Sequence, residues 1–478
     1  MTNPLMMLSL IVIIPFLGML FVLTSKDDSA GNHHNSSNVA IFTILSNIIM
    51  IWQIFAFVKK TQSGMQLQQN INWLDYLGVN FVFAVDNMSL LLILATHIII
   101  FGGIIFIRAE NIKQKAMMAF SLLFLSMTTG LFISNDIFSF FIFYEGMLLP
   151  LFMLIGMHGD FKKNSLLNGF FIYNLVGCII FLLGILWLYK NDGVVSMEAF
   201  ARLNSKKTYI PWIWLAFTIA FMFRIPIWPF HYFIAAINTK LRNPLVFIEV
   251  SLLPLSGLYA LYRFWPNYIP LEISQYFVWI NVIGVLTMLF ISLIGFANPD
   301  SQYRVFSYST IYYIMYLLGI FSQNKNIFAN LNYALFGFLL VMGGLEVVTA
   351  YIRRQELLHG SVSQGFLCRA RHLSLIYSFL IFSAVGFPIS SMFTNNFLIL
   401  SQLLSVNIHM GAVLALSLLL VSISLITEML RLKTDSKECF LGKSDDLPKD
   451  CFIFMLVIIF MLLMSFIHPL WFVVTSAN

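Results

Sequence analysis

The chain has 478 residues, 59% of them hydrophobic and only 10% charged, with a mean hydropathy of +0.87. Ordinary soluble domains carry about a quarter charged residues, so the composition excludes a soluble globular enzyme and indicates a polytopic membrane protein. The net charge of +6 is spread over short loops and speaks to topology rather than nucleic-acid binding.

The first residues, Met1-Thr-Asn-Pro-Leu-Met-Met, lack a basic n-region and an Ala-x-Ala site, so the first apolar run is expected to be retained. Apolar stretches of about 20 residues predict fourteen spans, at 4–24, 39–58, 84–107, 116–134, 137–157, 165–189, 210–240, 243–263, 274–296, 304–322, 328–352, 372–405, 409–430 and 451–475. The larger connections, 190–209 and 431–450, read as linkers of mixed charge. Most of the 27 Lys and Arg fall in loops that follow odd-numbered spans, which by the positive-inside rule places both termini on the opposite side.

Span 5 contains Tyr144-Glu145-Gly146-Met-Leu-Leu-Pro150, with Glu145 alone among apolar neighbours. Burial disfavours its charged form and a nearby cation favours it. Span 7 contains Arg224-Ile-Pro226-Ile-Trp-Pro229-Phe-His231. Two prolines three residues apart remove backbone donors and crowd the preceding turn, so the helix breaks there. Freed carbonyls in lipid require protein or a wet cavity beside them. A mid-membrane guanidinium costs ~2.5–3.5 kcal/mol and calls for a nearby anion. Arg224 is therefore either a tie between helices or part of an ion path, with Glu145 the candidate partner. Moving one relative to the other would switch a carboxyl between holding and releasing a proton.

Span 12 is interrupted by Gly386-Phe-Pro388-Ile-Ser-Ser-Met-Phe-Thr-Asn395-Asn396. Broken helices at corresponding places in two halves point to an inverted-repeat transporter. The predicted fold is thus all-α: an N-terminal part (1–115), repeat one (116–263, spans 4–8), repeat two (274–430, spans 9–13) and a final span (451–475), with helices 7 and 12 broken. Other buried ionisable groups divide between structure and chemistry. His231 is either a hydrogen-bonding prop or a relay, and His97 reads as a satisfied core group. Glu346 and Glu428 face the bundle or snorkel near helix ends. Cys178, Cys368, Cys439 and Cys451 show no metal or iron–sulfur spacing. No GxGxxG or P-loop pattern announces a nucleotide pocket.

Taken together, the span-5 and span-7 stretches resemble the antiporter-like membrane subunits of proton-pumping NADH:ubiquinone oxidoreductase (respiratory complex I). Ala84-Val-Asp86-Asn-Met-Ser89 before span 3 and Arg304-Val-Phe-Ser-Tyr308-Ser309-Thr310 in span 10 are similar to further motifs of that family, in the same order. The resemblance implies that Glu145 is the acid of a Glu–Lys switch, with Arg224 in place of the lysine. Arginine cannot pass a proton, but it can act as a movable cation. The family's span-8 lysine falls at Pro254 or Leu255, leaving Glu249 as the nearest substitute. The span-10 histidine falls on Tyr313 and the span-12 acid or lysine on Asn396.

The resemblance further implies a core subunit of complex I in the mitochondrial inner membrane, beside other antiporter-like subunits and lipids. NADH, flavin, iron–sulfur clusters and ubiquinone are then expected on other subunits, with no cofactor or metal on this chain. Two alternatives accompany this reading: a stand-alone cation/proton antiporter subunit, and a membrane-arm scaffold that has lost translocation.

Overall fold

The computed structural model describes residues 4–25, 34–58, 64–74, 79–109, 115–158, 165–193, 196–201, 209–238, 240–241, 243–264, 271–321, 325–359, 367, 370–388, 390–433 and 447–476. Each predicted apolar segment coincides with one helix or with a pair of shorter ones. In chain order they are α1 (Pro4–Thr24), α2 (His34–Phe57), α3 (Asn87–Ala109), α4 (Lys115–Ile133), α5 (Ile137–Gly146), α6 (Leu148–His158), α7 (Ser165–Asp192) and the short α8 (Met197–Ala201). There follow α9 (Ile210–Met222), α10 (Tyr232–Asn238), α11 (Pro244–Phe264), α12 (Leu271–Ala297), α13 (Ser301–Phe321) and α14 (Lys325–His359). The chain ends with α15 (Arg371–Val385), α16 (Ser391–Val406), α17 (Ile408–Lys433) and α18 (Lys449–Ser476). Among the described residues, ten segments are helical, long and apolar enough to cross a membrane.

Burial sorts these helices into an inner and an outer set. α11 and α13 are buried on nearly all sides. α1, α2, α7 and α12 turn rows of large apolar side chains outward, among them Phe21, Trp52, Leu183 and Trp279, as a surface solvated by lipid requires.

The break after span 7's first half falls where the prolines predict it. α9 stops at Met222, and α10 begins only at Tyr232. Across the gap, Ile227 N–H reaches the Ile225 carbonyl at 2.7 Å, and Trp228 N–H donates to Thr287 Oγ1 of α12 at 3.1 Å. In span 12 the interruption covers Gly386–Ser390 only: Gly386 closes α15 in the left-handed conformation (φ 87°), which glycine adopts without steric cost. Asn395 and Asn396 lie inside α16, not in the break as the sequence reading had them.

Two elements depart from the predicted pattern. Span 5 is itself divided at Met147 into α5 and α6. Pro150 has no N–H for the Gly146 carbonyl four residues earlier, so the ladder lapses one turn before the proline, two residues after Glu145. The stretch before α3 forms an antiparallel hairpin, β1 (Gln66–Leu74) with β2 (Val79–Val85), against the all-α expectation. The alternation Val-Asn-Phe-Val-Phe-Ala-Val is a strand pattern, and most of it lies between the predicted spans 39–58 and 84–107.

The hairpin's end is clasped to the helices. Asp86 Oδ1 accepts from Ser89 N–H at 2.7 Å while Ser89 Oγ accepts from Asp86 N–H at 2.9 Å, a reciprocal cap on α3. Asp86 also pairs with Arg263 of α11 at 3.1 Å. Arg263 Nε donates to Tyr259 Oη at 2.7 Å, which donates to the Phe132 carbonyl of α4 at 2.6 Å.

Candidate functional site

Among the described residues, Arg224 is the largest side chain that the fold buries completely, at 1% exposure. The break positions it: past the end of α9, its backbone leaves the helical path and the guanidinium points between α5, α7 and α11. Nη2 donates to the Tyr144 carbonyl at 2.5 Å and lies 3.9 Å from Cys178 Sγ, while Nη1 donates to Ser256 Oγ at 3.1 Å. Ser256 sends its own hydrogen to the Leu253 carbonyl at 2.7 Å, so its lone pairs are free to accept. The Tyr144 ring lies beneath the guanidinium, 3.3 Å from Cζ to the centroid. A desolvated cation over an aromatic face gains ~2 kcal/mol or more. The charge is thus held by a carbonyl, a hydroxyl, a thiol and a π face.

No carboxylate forms an ion pair with it among the described residues. Glu145 is half-buried at the end of α5, close enough to Arg224 and to the Cys178 thiol to interact electrostatically with both. One of its oxygens is shut from solvent without a partner. The two groups expected to pair are therefore close in space without an ion pair, with the Cys178 thiol of α7 beside both. Nothing in the spacing of Cys178 marks it; it is one of several polar side chains, Tyr173 and Asn174 among them, on a 28-residue and mainly apolar helix.

Glu249 and Glu346 are both fully buried. Glu249 faces Ser121 of α4, and Glu346 of α14 faces Ser251 of α11. Neither carboxyl completes a hydrogen bond of ordinary geometry. Tyr313 of α13 lies close by, its hydroxyl donating to the Ser251 carbonyl at 2.9 Å. α11 therefore supplies the neighbour of three polar groups: Ser256 for Arg224, Ser251 for Glu346, and Glu249 itself.

The remaining candidates lie elsewhere. His231 is half-exposed beside Phe290 of α12, rings 5.9 Å apart, with Nδ1 unpartnered, and is not brought to Arg224 by any contact. Asn396 lies near Tyr312 of α13, whose hydroxyl donates to the Ala384 carbonyl beside the second break at 3.3 Å. Glu428 sits at the end of α17, in contact with Arg304 and Arg431 at 3.0 Å each. It belongs to a charge clasp at the basic helix ends, not to the row along α11, because two arginines within reach tie it there.

His97 has a single consistent hydrogen arrangement. Nδ1 faces the Ile93 carbonyl at 2.8 Å and must carry the proton. Nε2 faces Asn47 Nδ2 at 2.8 Å, whose other hydrogen goes to the Ile11 carbonyl at 2.9 Å. The imidazole is neutral and satisfied, as the sequence reading expected of a core group.

Residues 134–424 match the family described as NADH:quinone oxidoreductase/Mrp antiporter, TM. Among curated relatives, the chain is 23% identical over 425 residues to the NADH-quinone oxidoreductase subunit M of Rickettsia typhi, covering 86% of this chain and 85% of that one. It is 25% identical over 423 residues to NADH-ubiquinone oxidoreductase chain 4 of Marchantia polymorpha, covering 86% and 83%. Among solved structures it is similar to a chain of respiratory complex I from Thermus thermophilus, with a TM-score of 0.85 at 20% identity over 97% of this chain and 96% of that one. A chain of the Mrp complex from Dietzia has a TM-score of 0.78 at 19% identity, over 91% and 81%. By its matched region and its fold, the chain belongs to the NADH:quinone oxidoreductase/Mrp antiporter membrane family.

Proposed function

We propose that this chain is a core antiporter-like subunit, of the subunit 4 or M type, in the membrane arm of a proton-pumping NADH:quinone oxidoreductase. It contributes one proton-translocation path and carries no redox centre. NADH, flavin, iron–sulfur clusters and quinone act on other subunits. The mitochondrial inner membrane is the proposed location, in keeping with the chain 4 relative and the abundance of Phe. Fourteen crossings in two five-span units, 116–263 and 274–430, flanked by 1–115 and 451–475, complete the proposed layout.

The observation that carries this reading is a fully buried guanidinium in a helix break, neighbouring an acid it does not pair with. Because Arg224 is held by neutral acceptors, a change of field or helix position shifts it without first rupturing an ion pair. Approach toward Glu145 stabilises the carboxylate and expels its proton; withdrawal lets the acid reprotonate. Two discrete positions with different energies are what such coupling needs. Glu145→Gln in the assembled complex tests it: NADH oxidation and assembly persist, and protons moved per NADH fall. Unchanged proton stoichiometry refutes the path. Co-purification with NADH-oxidising subunits separates this reading from a stand-alone antiporter.

The scaffold reading has its own support in Pro254, Tyr313 and Asn396, which replace groups the family resemblance implies as titratable. It predicts that Glu145→Gln leaves pumping intact while deletion of the chain disrupts the arm.

A further inference from the structure

A broken helix in a membrane has to be held by its protein neighbours, because hydrocarbon offers a freed N–H or C=O no partner. Between α9 and α10 the N–H groups of Arg224, Ile225 and Ile227 close locally on the Phe221, Met222 and Ile225 carbonyls. The Trp228 N–H, four residues beyond Arg224, leaves the segment instead and donates to Thr287 Oγ1 of α12 at 3.1 Å. Thr287 is buried, and its own hydrogen is committed to the Ile283 carbonyl at 2.7 Å. That bond fixes the hydroxyl and leaves its lone pairs to accept. α12 in turn lies close on α13, with Gly284 facing Ile314 and Leu318 and Gly295 facing Ser307. The break is thereby fastened to the second half of the chain.

The opposite side is held by α7. Tyr173 Oη donates to the Phe230 carbonyl at 3.2 Å, and its ring packs on Phe223 with centroids 4.8 Å apart. One turn further along α7, a Cβ on Gly177 would stand 2.8 Å from Phe223 Cβ. A Cβ on Gly257 of α11 would stand 2.7 Å from the Phe221 carbonyl oxygen. The end of α9 thus sits in a notch made by two glycines. Their chain neighbours, Cys178 and Ser256, are groups that the guanidinium touches, so the backbone seat and the side-chain contacts share the same turns of α7 and α11.

We propose that Thr287 and Tyr173 are positioning residues for Arg224: they grip the break from α12 and from α7, and so keep the guanidinium at the place from which it acts on Glu145. The inference rests on the translocation reading above and concerns what sets the geometry of that switch.

The test uses the assembled complex in proteoliposomes with Thr287→Val, Thr287→Ser and Tyr173→Phe, and Glu145→Gln as the reference. Valine keeps the shape of threonine without the acceptor; serine keeps the acceptor without the methyl group. Loss of one hydrogen bond shifts the population of the held position by about fivefold. Thr287→Val should therefore lower this subunit's share of protons per NADH several-fold, with NADH oxidation by an artificial acceptor unchanged and Thr287→Ser near native. Tyr173→Phe should lower it in the same direction. Native pumping in Thr287→Val and Tyr173→Phe, with loss in Glu145→Gln, overturns this inference alone. Native pumping in all of them overturns the translocation reading as well. Equal loss in Thr287→Val and Thr287→Ser also overturns the inference, since packing and not the acceptor would then be responsible. Should Thr287→Val fail to assemble, Tyr173→Phe decides by the same measurement.

Discussion

The two helix breaks solve the same backbone problem with opposite chemistry. The first, between α9 and α10, places a cation at its mouth and surrounds it with neutral acceptors. The second, at Gly386–Ser390, places no charge: Ser390 Oγ donates to the Phe387 carbonyl at 2.8 Å, and Tyr312 Oη donates to the Ala384 carbonyl nearby, with Asn396 close by. An amide and a phenol can conduct a hydrogen-bond pattern but cannot set a field. Of the two breaks, the first alone holds a formal charge among the described residues.

That contrast can be broken most severely at Arg224. Arg224→Leu leaves the Tyr144 carbonyl and the Ser256 hydroxyl facing a void. Each buried acceptor left unsatisfied costs about 1–3 kcal/mol, and the assembled complex should fall on native gels. Arg224→Lys keeps the charge without the fork, so assembly should recover and proton stoichiometry only in part.

Next in size is Cys178→Ala, which removes the atom beside both Glu145 and Arg224. A single weak hydrogen bond is worth about 1 kcal/mol, so assembly should be intact and coupled turnover should fall several-fold. Recovery in Cys178→Ser would distinguish bridging from filling space.

At the second break, Gly386→Ala should cost about 1–3 kcal/mol through its positive φ, aggravated by a Cβ placed 2.9 Å from Asn396 Nδ2. Its measure is thermal stability; pumping per assembled complex should stay native, because no charge is moved. A large loss of stoichiometry there would erase the distinction between the two breaks.

The smallest effect concerns Asp136, in the short connection before α5. Burial pushes its carboxyl up to about 7, overcoming the two N–H bonds it accepts from Phe138 and Ser139. A group whose folded value is raised contributes stability below the usual carboxyl range, and that contribution is lost as pH climbs toward 7. Asp136→Asn keeps an acceptor and should flatten this slope in thermal melts between pH 4 and 7.

Proline and glycine made the two long interruptions readable beforehand, because each removes a donor or admits a positive φ wherever it stands. Pro150 obeyed the same rule and was passed over, since an apolar run on both sides resembles an unbroken span. Side-chain partners were much less legible. Lipid is as apolar as leucine, so membrane helices carry little record of which face meets which neighbour. Hence Glu145 and Arg224 could be matched from the chemistry of lone opposite charges, whereas Cys178 between them could not. The same reasoning left Glu428 beside the path, because the sequence does not say that Arg304 and Arg431 converge on it.

The Asn47–His97 link has a consequence for the outer helices. Every hydrogen of the amide and the ring nitrogens is already committed, and an added proton on Nε2 would confront the amide's own N–H. The packing of α1, α2 and α3 thus includes a ring whose two nitrogens are both spoken for by neighbouring helix backbone and amide, a polar peg that fastens three outer helices together.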